Sequence, residues 1–176
     1  MNCNIRAWHM SDAADLAAAL NNPNIQNNLR DVLPCPYTQK DAGDYIDAML
    51  HADKNATFAF AVTVDDKAIG SIGVFRKDNI HFRTAEMGYY ISELFWGQGL
   101  GTSAVKQTCK YVFENTDILR IFAEPFAYNT ASRRILEKSG FLCEGIMRAN
   151  AVKNGKVLDM ALYALLKSDC PEYSEV

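Results

Sequence analysis

The 176 residues are 49% hydrophobic, enough for one compact domain with a real core and too short for two of full size. Eighteen basic against 21 acidic residues leave a formal charge of −3, which excludes a broad basic face for nucleic acid or anionic lipid. No apolar run approaches the roughly 20 residues of a membrane-spanning helix and the N-terminus lacks a signal-peptide pattern, so a soluble cytoplasmic protein is expected. Cys3, Cys35, Cys109, Cys143 and Cys170 lie far apart with no C-x-x-C pair, and are read as reduced thiols. His9, His51 and His81 show no metal-ligand spacing, so no metal is expected.

Residues 4–9 alternate like a short strand, and Ser11-Asp12 then starts an Ala/Leu-rich helix to about Asn21. From Asn21 to Tyr37 an Asn-Pro turn, a polar run and Pro34-Cys35-Pro36 predict a short helix inside a long loop. Thr38 with Asp41 three residues on begins a second helix carrying Tyr45, Ile46, Met49 and Leu50 on one face. Residues 58–64 and 68–75 read as strands joined by a hairpin turn at Asp65-Asp66-Lys67.

A strand at 86–91 runs into a glycine-rich turn at 96–101, and a helix follows to about Asn115 with Leu100, Ala104, Val105, Cys109, Val112 and Phe113 facing a core. Residues 118–124 form the next strand, and 129–139 a helix that Gly140 ends. Two last strands, 141–152 and 156–165, flank Asn154-Gly155, the strongest short hairpin signal in the chain. From Ser168 a polar, frayed tail is expected, leaving one domain at 1–167. Hairpins with a single β-α-β unit imply an α/β (α+β) fold with a mixed sheet, not a doubly wound parallel one.

Trp96-Gly97-Gln98-Gly99-Leu100-Gly101-Thr102 lies between a strand and a helix, where free N–H groups and the helix dipole suit a phosphate or pyrophosphate. A ligand-free tight turn is the plainer reading. Three alternate glycines each cost roughly 0.5–1 kcal/mol where a helix starts, which favours a ligand. Gly99-x-Gly101-x-x-Ala104 also satisfies the dinucleotide fingerprint, with Glu124 near the place of its acidic ribose partner. After Gly140, however, the chain offers a hairpin in place of a second mononucleotide half. No G-x-x-x-x-G-K-[ST] is present.

The segment Glu86-Met87-Gly88-Tyr89-Tyr90-Ile91, followed by Phe95 to Thr102, resembles the acetyl-CoA motif of GNAT N-acetyltransferases, and its Trp-Gly variant resembles the RimJ/RimL-like branch acting on ribosomal-protein N-termini. Asn129-x-x-Ser132 with Leu136-Glu137-Lys138-Ser139-Gly140-Phe141 resembles that family's helix facing the pantetheine arm. The opening Ile5-Arg6-Ala7-Trp8, the Asn28-Leu29-Arg30-Asp31 to Tyr37 region and the closing hairpin extend the likeness over nearly the whole chain.

The resemblance implies a single GNAT domain of about six to seven strands, helices on both faces, and a splayed strand pair holding acetyl-CoA. It implies cofactor contacts at Tyr90, Ile91, Trp96, Gly97, Gln98, Gly99, Leu100, Gly101, Thr102, Asn129 and Ser132, with no metal. For direct attack of an amine on the thioester it implies Glu124 as base, Glu86 as second candidate and Ser132 beside the sulfur. Tyr37 and Arg148 are expected to line the acceptor pocket. Leu136 stands where many relatives carry a Tyr that protonates the thiolate, which leaves a non-catalytic acyl-CoA-binding module as the alternative. The acceptor is a peptide α-amine or a small-molecule amine, and the protein a monomer or homodimer.

Overall fold

The computed structural model describes residues 2–170. Seven strands form one mixed sheet: β1 (Asn4–Arg6), β2 (Thr57–Val64), β3 (Lys67–Arg76), β4 (Thr84–Ile91), β5 (Arg120–Ala123), β6 (Leu142–Lys153) and β7 (Lys156–Leu166). Their order in space is β1-β2-β3-β4-β5-β7-β6. Every adjacent pair is antiparallel except β4 and β5. Five helices accompany it: α1 (Ala13–Leu20), α2 (Pro23–Gln26), α3 (Gln39–His51), α4 (Leu100–Asn115) and α5 (Thr130–Lys138).

The turns follow from their residues. Asp65 and Asp66 take φ of 48° and 65°, and Asn154-Gly155 takes 51° and 73°, the paired left-handed conformation of two-residue hairpins. At α3 the Thr38 side chain accepts from the Asp41 N–H while the Asp41 carboxylate accepts from the Thr38 N–H, closing the expected capping box.

Two apolar clusters lie on opposite faces of the sheet. Ile72, Val74, Met87, Ile121 and Leu136 pack with Val105, Val112 and Phe113 of α4 on one face. Trp8, Leu16, Leu20, Tyr37, Ile46 and Ala61 form the cluster of α1 and α3 on the other. Alternation along β4 sends Tyr89 to the first and Tyr90 to the second.

Two expectations shift. The first strand is shorter, because residues 10–12 form a 3-10 turn whose Asp12 turns back to accept from Arg6 and from the His9 N–H. The tail is not frayed at its start: residues 167–169 form a 3-10 turn, Lys167 Nζ caps the Phe113 carbonyl of α4, and Cys170 is buried in the core. The expected tail beyond it lies outside the described residues. No helix among the described residues is long and apolar enough to cross a membrane.

Candidate functional site

Only Thr84 to Glu86 of β4 pair with β5, opposite Arg120 to Phe122. Beyond Glu86 the two strands part: β4 runs on to Ile91 beside β3 alone, and β5 ends at Ala123. A cavity of about 700 Å³ occupies the gap, lined from both faces of the sheet.

On the α4 face the cavity begins at the glycine turn. Gly97 and Gly99 have φ of +75° and +78°, a conformation costly for any residue with a Cβ, and nothing lies within 4 Å of where either Cβ would stand. The first bond of the α4 ladder joins the Ser103 N–H to the Gly99 carbonyl, so the preceding N–H groups have no partner within the helix. Gly97, Gly99, Leu100, Gly101 and Thr102 all line the cavity. Trp96 acts as a staple, its indole N–H donating to the Ile91 carbonyl at 2.7 Å across the strand-to-helix bend. Gln98 is exposed and stands outside the cavity lining.

Asn129 and Ser132 face the same space from the start of α5. Asn129 is the N-cap, its Oδ1 accepting from the Ser132 N–H at 3.1 Å. Ser132 Oγ lies 2.9 Å from the Tyr89 hydroxyl. Leu136, one turn on, is wholly enclosed in the core and offers the cavity no proton.

On the α1/α3 face the wall is polar and aromatic: Tyr37, Tyr45, Ser71 and Tyr90 line it, with the Tyr45 hydroxyl 3.3 Å from Ser71 Oγ. Burial pushes the Tyr37 phenol up to about 12, helped by the charges of Asp41 and Asp44, so it stays a proton donor. Glu86, Glu124 and Arg30 meet there. Arg30 Nη2 contacts Glu86 Oε1 and lies 3.7 Å from Glu124 Oε2, while Lys77 Nζ takes the other Glu86 oxygen at 2.8 Å. Burial opposes ionisation of Glu86, but the hydrogen bond from Lys77 and the charges of Arg30 and Lys77 outweigh it and hold its carboxyl below the ordinary value.

Most of the expected site is thus brought together, and two residues are not. Gln98 turns to solvent, and Arg148 is exposed in the β6 bulge between Met147 and Ala151, outside the cavity lining. Tyr90 sends its side chain to the α1/α3 face, away from the glycine turn. The residues that sequence reasoning missed are Arg30, Tyr45, Ser71 and Tyr89. Strand alternation through Met87 and Ile91 was signal enough for Tyr89, whereas Arg30 sits in an aperiodic loop whose family likeness gave it no role.

Residues 3–142 match the acetyltransferase (GNAT) domain family. The chain belongs to that family. This GNAT domain is 34% identical over 120 residues to "Probable N-acetyltransferase YjcK" of Bacillus subtilis, covering 68% of the chain and 66% of that protein. It is 28% identical over 116 residues to the ribosomal-protein-serine acetyltransferase of Escherichia coli, covering 66% of the chain and 64% of the relative. The matches therefore span just under two thirds of these curated relatives. In fold, the GNAT domain superposes on RimL, a ribosomal L7/L12 alpha-N-protein acetyltransferase solved with coenzyme A, with a TM-score of 0.82 over 93% of each chain at 20% identity.

Proposed function

We propose that this GNAT domain is an N-acetyltransferase that moves the acetyl group of acetyl-CoA to a primary amine, with a peptide or protein α-amine as the preferred acceptor. The observation that carries the reading is a single cavity running through the parted strands, with a bare-backbone anion site on one face and two carboxylates on the other. The free N–H groups at the start of α4 suit the pyrophosphate. The unpaired edge of β4 suits the amides of pantetheine, which add to it as a strand would. Ser132 and Asn129 flank the thioester, and the E. coli and RimL relatives supply the analogy for the acceptor.

The acceptor enters from the other face. One nitrogen of Arg30 already stands between the two carboxylates, and a primary ammonium fits the same position. Of the two, Glu124 is the better base, because Glu86 is held ionised by Lys77 and Arg30 and so accepts a proton poorly. An α-amine of pKa about 8 needs less help than a lysine of about 10.4. The carbonyl carbon forms its bond to nitrogen as the C–S bond breaks, and no covalent enzyme intermediate is required. A cytoplasmic location, where acetyl-CoA and new protein N-termini meet, belongs to this reading.

The test is transfer from labelled acetyl-CoA to peptides starting with Ala, Ser or Leu, an N-terminally blocked lysine peptide, spermidine and an aminoglycoside, read by mass spectrometry. The highest kcat/KM is expected for an α-amine peptide. A polyamine or sugar amine ahead of every peptide removes the peptide assignment, and CoA binding with no transfer to any amine makes the protein a binding module.

A further inference from the structure

Tyr89 has no part in the steps above, although its phenol lies against the wall where the thioester would sit. Its side chain packs against the α4-face core, and its hydroxyl donates to the Ser132 carbonyl oxygen at 3.2 Å while lying 2.9 Å from Ser132 Oγ. Ser132 is itself held, its N–H bonded to Asn129 Oδ1, and both Tyr89 and Ser132 line the cavity. Burial raises the Tyr89 pKa above that of an ordinary phenol, so the group keeps its proton over the whole working range.

The single Tyr89 proton has two acceptors on Ser132. When it goes to the carbonyl, Ser132 can give its own proton back to the phenol oxygen. When it goes to Oγ, the serine proton is turned away from the phenol and is free for the cavity. Negative charge growing on a nearby sulfur selects the second arrangement, since each hydrogen bond in such a chain strengthens the next.

We propose that Tyr89 is a positioning residue for the leaving group, holding Ser132 so that its hydroxyl proton points at the thioester sulfur and hydrogen-bonds the departing thiolate. The proposal rests on the acetyl-CoA reading above. In the step, the amine nitrogen bonds to the carbonyl carbon, the C–S bond breaks with its electron pair passing to sulfur, and the proton from nitrogen goes to Glu124 or to water. Coenzyme A leaves as the thiolate. A thiol pKa of about 8.5 makes that anion tolerable, and a hydrogen bond to it lowers the pKa further. Tyr89 and Ser132 thereby stabilise the thiolate by hydrogen bonding, where Leu136 can supply no acid.

A merely structural tie between β4 and α5 would affect stability alone. The discriminating measurement is the thiol pKa of enzyme-bound CoA, followed by the ultraviolet absorbance of the thiolate as pH is raised. Tyr89→Phe and Ser132→Ala are each expected to raise it by about half a unit to one unit. The double variant should raise it no further than Ser132→Ala alone, because the two act in series. With a Ser-starting peptide as acceptor, Tyr89→Phe should lower kcat about tenfold at unchanged KM for acetyl-CoA, and Ser132→Thr should retain most of the activity. An unshifted thiol pKa in a folded Tyr89→Phe protein that still binds CoA, or additive shifts in the double variant, overturns the proposal. The titration needs no acceptor, so an error about the acceptor leaves it intact, while failure to bind CoA at all defeats the parent reading as well.

Discussion

Arg30, from the loop between α2 and α3, holds its Nη2 3.7 Å from Glu124 Oε2 at the point where β4 and β5 part. The same nitrogen contacts Glu86, so a half-exposed cation spans the two carboxylates. With Lys77 on Glu86, the four side chains sum to zero charge. On the proposed function, an acceptor ammonium that takes the place of Arg30 restores the same balance, so the guanidinium is expected to compete with substrate. Arg30→Met is expected to lower the KM for a cationic peptide acceptor severalfold, with kcat little changed, most visibly at low ionic strength. Initial rates over a range of peptide concentrations check this. A rise in KM would instead make Arg30 part of the binding surface.

Glu124 should assist loss of the acceptor proton. Gln in its place keeps the shape and cannot accept a proton, so Glu124→Gln is expected to lower the rate about a hundredfold near neutral pH. The loss should be largest at low pH and shrink as pH rises toward the pKa of the amine, where the acceptor is already neutral. The pH–rate profiles of the two proteins decide the matter. Superimposable profiles would shift the role to Glu86, in spite of the cations that hold its carboxyl low.

The element order and both hairpin turns were readable in the chain because each rests on local chemistry, as at Asn154-Gly155 and the Thr38/Asp41 box. The glycine turn was readable for the same reason. The acceptor wall was not, since Tyr37, Tyr45, Ser71 and Arg30 come from separate segments and only tertiary packing brings them together. Arg148 lies outside the cavity lining for a related cause: two register shifts in β6 bend the strand, and no hydrophobic pattern announces a bulge. Ser168 looked like the start of a tail because its neighbours are polar, yet the turn there is fixed by Lys167 reaching back to α4.

Gly99 meets two demands at once, a left-handed φ of +78° at the N-cap of α4 and an open approach to its backbone. Gly99→Val adds a branched side chain in the space where a pyrophosphate would lie, and imposes roughly 1–2 kcal/mol of backbone strain. The variant is expected to fold, with a lower melting temperature, and to bind CoA at least tenfold more weakly by calorimetry. A folded Gly99→Val protein with wild-type CoA affinity would remove the pyrophosphate from this turn.

Away from the cavity, the Arg6–Asp12 pair fixes the junction between β1 and α1. Asp12 Oδ2 accepts from Arg6 Nη1 at 2.8 Å and from the His9 N–H at 2.9 Å, and Oδ1 accepts from Arg6 Nη2 at 2.9 Å. Burial alone would raise the Asp12 pKa, but the Arg6 hydrogen bonds, the His9 N–H and the Arg6 charge bring it below the ordinary value. A carboxyl whose pKa is lower folded than unfolded contributes stability that is complete above the unfolded value of about 3.9 and fades as pH falls through the folded one. Asp12→Asn removes the inner of the two carboxylates on Arg6, leaving Asp66 on Nε, and should destabilise the protein by about 1.5 kcal/mol at neutral pH. Urea denaturation at about pH 7 and about pH 3 is the check: the gap between wild type and variant should narrow on the acid side, because protonation removes from the wild type what the substitution has already removed. A gap that stays constant across that interval would mean that the charge of Asp12 is not what holds the junction.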